Sequence, residues 1–217
     1  MNEKVKEAIR LIKQGEGQFV EFKKKANHPE KIVREVVAFA NSGGGHLFIG
    51  VDDNGTISGL KFPEDDEFVL SRAIQDLTKP TVDFAVTFLK IREDVEILHY
   101  HIREGERKPY FALLDKKHRV GKSFVRVEDH SIQASYEMRQ ILKRSNHSSS
   151  PIVYEEKVKM LFNYFEKNDG ITLSQYMELS GLDKKLASNK LIDLALSGAL
   201  KIEPKEGEDI FLPVDQF

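Results

Sequence analysis

The stretch AFANSGGGHLFIGVDDNG, residues 38–55, decides the fold. Its first half closes a helix that Pro29 opens from a first-turn position, where a missing N–H costs nothing. Ile32, Val33, Val36, Val37, Phe39 and Ala40 recur on almost every side of that helix, so it is read as buried. The run Asn41 to Gly45 ends it with residues that tolerate left-handed backbone. HLFIGV, 46–51, is then a short apolar strand of buried type, and Asn54-Gly55 just beyond it is a strong tight-turn signal. The triple glycine does not read as a phosphate cradle. It follows a helix C-terminus, whose dipole repels anions, whereas a cradle precedes a helix N-terminus. VGKSF, 120–124, has the ending of an ATP-binding loop, but the required first glycine is Lys116 and KSFVRV is strand-like, so ATP is not supported.

Outward from this stretch, residues 2–14 carry Val5, Ala8, Ile9 and Ile12 at helical spacing, and Gly15 stops them. QFVEFKKK, 18–25, alternates, with Val20 and Phe22 on one face and Phe19, Glu21 and Lys23 on the other. Residues 64–78 predict a helix, 81–91 and 95–102 an antiparallel pair, 108–114 and 122–127 two more strands, and 134–143 a closing helix. RSNHSSSP, 144–151, is polar and serine-rich and ends in proline, as linkers do. The expected division is a domain over 1–145, a linker over 146–151 and a domain over 152–217. In the latter, a helix over 154–168 precedes TLSQYMELSGL, capped by Thr172 and closed by Gly181. A longer helix follows, capped by Asp183 and stopped by Gly198, then two strands around Glu206-Gly207. That order is the order of a winged helix. The expected fold class is α+β: a mixed-sheet domain with packed helices, plus a small C-terminal winged-helix domain.

Composition narrows the function classes. The 217 residues include no cysteine, which excludes disulfides and thiolate metal sites and suits a reducing, cytoplasmic setting. No apolar run approaches the ~20 residues of a membrane span, and the N-terminal stretch has no signal-peptide core. Net charge is −2. Residues 1–150 hold 25 Lys and Arg against 23 acids, and 151–217 hold 8 against 12. Any nucleic-acid affinity must therefore come from local patches. Three lie in the first domain: Lys23, Lys24 and Lys25; Arg103, Arg107 and Lys108; and Lys116, Lys117, Arg119, Lys122 and Arg126 around a hairpin. The helix after Asp183 offers Lys184, Lys185, Ser188, Asn189 and Lys190, types that reach phosphates and base edges. Its neighbouring hairpin carries Glu206, Glu208 and Asp209 against Lys205, which would repel a phosphate backbone, so dimerisation or partner binding stays open beside DNA reading.

Glu21 and Lys23 share a strand face about 7 Å apart, Glu16 enters that strand, and Asp52 and Asp53 end the next. If the strands are neighbours, carboxylates converge and repel. Mg²⁺ or Mn²⁺ would relieve that repulsion and activate water, with Lys23 on a phosphate oxygen. The alternative is an exposed charged strand face with turn-forming acids behind it. His99 and His101 share a face without an evident third ligand and read as solvent-facing.

The order E-x4-EFK, AFANSGGG-x-L-x-IGVDD-x-G-x-I-x-G closely resembles the Schlafen AlbA_2 domain, also labelled a divergent AAA_4 domain. KPYF and FVRVEDHSIQAS resemble that family's closing strand and helix entry, so the resemblance spans roughly residues 10–145. It implies, for bacterial members, a DNA-binding or regulatory module that a winged helix often follows. For animal members it implies a metal-dependent ribonuclease acting on structured RNA such as transfer RNA. The acids it implies, as catalytic groups and metal ligands, are Glu16, Glu21 and Asp53, with Lys23 as the accompanying lysine. Glu128 departs from the pattern, since family members often have glycine there. The expected functions are a nucleic-acid-binding, DNA-directed transcriptional regulator, a divalent-metal endoribonuclease, or an interaction module, with a homodimer among the expected assemblies.

Overall fold

The computed structural model describes residues 2–113, 121–145 and 155–214. The chain divides by its contacts after Gln133 into two units.

The first unit begins with α1 (Glu3–Gln14), capped by Asn2, whose Oδ1 accepts from the Lys4 N–H at 3.2 Å. Then come β1 (Val20–Lys23), α2 (Pro29–Asn41), β2 (Gly45–Ile49), α3 (Pro63–Leu77), β3 (Thr78–Lys79), β4 (Phe84–Arg92), β5 (Val95–Ile102), β6 (Phe111–Ala112), β7 (Phe124–Val127) and β8 (His130–Gln133). Four strands form one mixed sheet in the order β1-β2-β5-β4. β1 and β2 run parallel through the α2 crossover, with Val20 opposite His46 and Lys23 opposite Ile49. β2, β5 and β4 are antiparallel neighbours. β3 pairs with β6, and β7 with β8. The fold is α+β, as expected. β8 is not among the expected strands: the chain turns back after two residues and HSIQ pairs with FVRV.

Alternation in the strands sends side chains to two cores. On one face Val5, Ala8 and Ile12 of α1 cover Val20, Phe22, Phe48, Leu89 and Ile97. On the other, α2 and α3 bring Val36, Val37, Leu70 and Ile74 onto Leu47, Ile49, Leu98, Tyr100 and Ile102. The triple glycine is a backbone device. Gly43 and Gly44 have φ of 100° and 82°. A Cβ on Gly44 would stand 2.7 Å from the Ile102 carbonyl, and one on Gly45 2.3 Å from the Phe39 ring. Only glycine lets α2 turn that closely onto the end of β5. Asn41, buried at the same helix end, donates to the carbonyls of Tyr110 (3.1 Å) and Phe124 (2.8 Å) and accepts from the Tyr110 N–H (2.8 Å).

The second unit holds α4 (Tyr136–Arg144), α5 (Glu156–Phe165), β9 (Ile171–Thr172), α6 (Leu173–Ser180), α7 (Lys184–Leu196), β10 (Leu200–Glu203) and β11 (Ile210–Pro213). Its sheet order is β10-β11-β9. Thr172 caps α6 in a reciprocal box with Gln175, Gly181 ends α6 at φ 68°, and Asp183 caps α7. Val158, Leu161, Tyr176, Leu191 and Phe211 form its core. The helix expected to close the first domain, α4, sits in this unit instead. Ile141 packs on this core, Glu137 accepts from Ser188 Oγ at 2.6 Å, and Arg144 pairs with Asp193 at 2.7 Å. The expected linker, 146–151, lies outside the described residues. Among the described residues no helix is long and apolar enough to cross a membrane.

Candidate functional site

Glu16, Glu21 and Lys23 do come together, around an arginine that the sequence pattern places on a surface patch. β1 ends the sheet, so Val20 and Phe22 turn their backbone groups away from β2. Each of these groups finds a partner. Val20 exchanges hydrogen bonds with Gly17, its carbonyl accepting at 3.0 Å and its N–H donating at 3.4 Å. The Phe22 N–H donates to Glu16 Oε1 at 2.9 Å, and the Phe22 carbonyl accepts from Lys23 Nζ at 3.0 Å. Glu16 and Lys23 thus seal a strand edge with side chains.

Glu21 itself is not exposed, which corrects the expectation that it belongs to a solvated charged strand face. Glu21 is only 5% exposed, and it faces Arg126 of β7, itself 4% exposed. Arg126 Nη2 meets Glu21 Oε2 at 2.6 Å and the carbonyls of Gly17 and Val20 at 3.0 and 3.3 Å. Its Nε donates to Gly17 at 3.2 Å, and its Nη1 to Glu35 of α2 at 2.8 Å. The guanidinium also stands 4.9 Å from the centre of the Phe39 ring. Arg126, expected on a nucleic-acid surface, is therefore an internal cation: with its nitrogens engaged and its side chain buried, it cannot reach a phosphate. Lys23 also pairs with Glu21.

Glu16 is the group this arrangement perturbs most. Burial, opposed by the Phe22 N–H and reinforced by the Glu21 charge, raises its pKa to about 7. A carboxyl there can take up and release a proton near neutrality. Asp53 does not join it. It is exposed in the turn after β2, where its neighbour Asp52 pairs with Lys24 at 3.0 Å and accepts from Ser58. Among the described residues, no three His, Asp or Glu side chains are grouped so that they could hold a metal ion. The donor set does not fit a divalent ion, because Arg126 and Lys23 already neutralise Glu21. Of the remaining basic residues in this unit, Lys25 and Lys122 are exposed. Arg103 pairs with Asp83 at 2.6 Å and Lys108 with Glu104 at 2.5 Å. Lys116, Lys117 and Arg119 lie outside the described residues.

His99 also differs from expectation. A third imidazole, His46 of β2, stands opposite His101 in register and contacts His99, Nδ1 to Nε2, at 2.9 Å. His46 stacks on His101 with ring centres 4.9 Å apart, and His99 on Phe48 at 4.5 Å. Burial, then His46, His101 and Lys4 nearby, lowers His99 to about 4. The two-residue spacing of His99 and His101 is visible in the sequence; the β2–β5 register that adds His46 is not.

In the second unit, Lys184, Lys185 and Asn189 of α7 are exposed and line a groove of about 760 Å³ with Tyr136, Glu208 and Phe211. Lys190 pairs with Glu155 at 2.5 Å, and Ser188 is buried against Glu137. Two of the hairpin acids are committed. Asp209 is buried, accepts from Ser135 Oγ at 2.5 Å and from the Lys205 N–H at 3.2 Å, and has its pKa raised, chiefly by burial. Glu208 accepts from the Ser174 N–H at 2.7 Å, at the start of α6.

This is an α+β protein whose first unit is built around the sealed β1 edge and the glycine turn between α2 and β2. The chain belongs to the Schlafen, AlbA_2 family, whose model matches residues 16–135. No curated protein matches it. It is similar to the DIP2311 protein of Corynebacterium diphtheriae, at 19% identity over 90% of this chain and with a TM-score of 0.45. The chain spans 38% of the length of that protein. It is also similar to the N-terminal domain of a Nitrosomonas europaea protein described as related to the ATP-dependent DNA helicase RecG. There the identity is 18%, the coverage 69% of this chain and 95% of that domain, and the TM-score 0.43.

Proposed function

We propose that the chain is a nucleic-acid-binding protein that acts as a DNA-directed regulator, with its second unit serving as a winged helix and α7 as the reading helix. One observation carries this reading. The first turns of α7 present Lys184, Lys185 and Asn189 to an open groove, while two of the three hairpin acids are engaged: Asp209 is buried against Ser135, and Glu208, on the groove wall, accepts from the start of α6; Glu206 stays exposed. The order helix, strand, two helices and hairpin, with β9 joined to the hairpin, supports it further. Lys25 and Lys122 of the first unit add exposed cations.

Anisotropy titration of labelled duplex DNA at several salt concentrations tests the proposal. Binding should weaken steeply with salt, and Lys184→Glu with Lys185→Glu should lower the salt slope by about 2, roughly 0.9 for each phosphate that is no longer neutralised. Binding that ignores both salt and the double substitution would overturn it. Incubation with Mn²⁺ and transfer RNA separates it from the endoribonuclease reading: cleavage that disappears in Glu16→Gln would favour cleavage as the function.

A further inference from the structure

The two edges of the main sheet are treated differently. At β1, every outward backbone group of Val20 and Phe22 is satisfied by Gly17, Glu16, Lys23 or Arg126. At the opposite edge, β4 is nine residues long and pairs on one side only, with β5. Among the described residues no hydrogen bond reaches its outer side; the Arg103 N–H donates to the Asp83 carbonyl at 3.1 Å on the β5 side, where it continues the ladder. From Phe84 to Leu89 the edge reads FAVTFL, without a charge, a proline or a bulge; the irregularity comes later, between Lys90 and Arg92. Phe88 is 41% exposed on it. Proteins blunt free edges with lysines, bulges or covering side chains, and an uncharged, flat, β-branched and aromatic edge is a template for another strand.

We infer that β4 is the docking edge for a second copy of this chain, paired antiparallel about a two-fold axis at Val86. This is an interaction surface independent of the nucleic-acid reading. The segment is complementary to itself in that register. Phe84 falls opposite Phe88 of the second copy, and Ala85 opposite Thr87, so aromatic side chains meet across the axis on the face that Phe84, Val86 and Phe88 share. Lys90 and Arg92 fall opposite Val82 and Pro80 of the second copy, so no cation meets a cation. A partner of other chemistry would have no need of this symmetry. A five-residue strand pair is a small interface, so the dimer is weak, dissociating at roughly micromolar concentrations or above.

Sedimentation equilibrium of the full chain from about 2 to about 200 μM covers that range. A monomer–dimer equilibrium is expected, and Ala85→Lys with Phe88→Lys, both at exposed positions, should weaken it at least tenfold with the circular dichroism unchanged. Because the chain lacks cysteine, Lys90→Cys carries a single spin label, and the two labels of the dimer should lie roughly 26 Å apart, eight residues at about 3.3 Å each. A chain monomeric throughout, a dimer indifferent to the two lysines, or labels at a separation far from that value would each overturn the proposal.

Discussion

Replacing Arg126 with methionine removes a cation that ties the β1 edge and α2 to β7. The side chain is fully buried and ends at two carboxylates, Glu21 and Glu35, and at the carbonyls of Gly17 and Val20. Methionine fills most of the volume and takes the guanidinium from all four acceptors, each of which keeps one other donor: Lys23 for Glu21, Ser131 Oγ for Glu35, and the reciprocal N–H groups for Gly17 and Val20. Breaking a buried ion pair from one side costs about 3–5 kcal/mol, because the remaining charge has no counterion. Here Glu35 is 22% exposed in its side chain and can regain water, and Lys23 still faces Glu21. The expected loss is therefore near the lower end, about 3 kcal/mol, a large share of a domain stability of about 5–15 kcal/mol. The chain has no tryptophan, so urea unfolding is best followed by far-UV circular dichroism. Adding Glu21→Gln to Arg126→Met removes the orphaned charge and should restore about 1 kcal/mol in a double-mutant cycle. A loss below about 1 kcal/mol, or no recovery in the double variant, would show that the buried cation does not organise this unit.

Two further outcomes follow from the same geometry. Glu16 has a folded pKa of about 7 against 4.5 unfolded, so its stabilisation is complete below pH 4.5 and lost as pH rises through 7. His99 has a folded value of about 4 against 6.5, so its stabilisation is present above pH 6.5 and lost as pH falls through 4. The slopes oppose each other, and urea midpoints across pH 4–8 should fall more steeply toward acid in Glu16→Gln than in the parent chain; identical profiles would refute the burial of Glu16. Glu128 has φ 55° in the two-residue turn between β7 and β8. A left-handed non-glycine residue costs about 1–2 kcal/mol and glycine's own entropy about 0.5–1 kcal/mol, so Glu128→Gly should stabilise by about 0.5–1 kcal/mol in the same assay, and destabilisation would count against that turn geometry.

What the sequence shows best is local. Pro29, the glycine run, Thr172, Gly181, Asp183 and the pattern of 84–102 carry their meaning within a few residues, and the structure places helices, turns and strands where they point. What it hides depends on pairing across long separations. Arg126 looks like a surface cation in an alternating strand, yet its partners lie about a hundred positions earlier. Glu21 reads as an exposed partner of Lys23 until β7 is laid against its face. Asp209 reads as a free acid on a hairpin tip until Ser135 reaches it. In each case charge chemistry is visible and burial is not, because burial is decided by the element opposite. The departure at Glu128 is the reverse case: a residue-level anomaly whose conformational cause, a left-handed turn, the structure supplies.

The position of α4 bears on how this molecule can be dissected. A cut at the serine-rich segment 144–151, the natural choice from sequence, would discard Ser135, Glu137 and Ile141. It would strip Asp209 and Ser188 of their partners and bare the side of α7 that Ile141 and Arg144 cover. A C-terminal fragment should instead start at Ala134, and an N-terminal one should stop at Gln133, two residues before the family match ends.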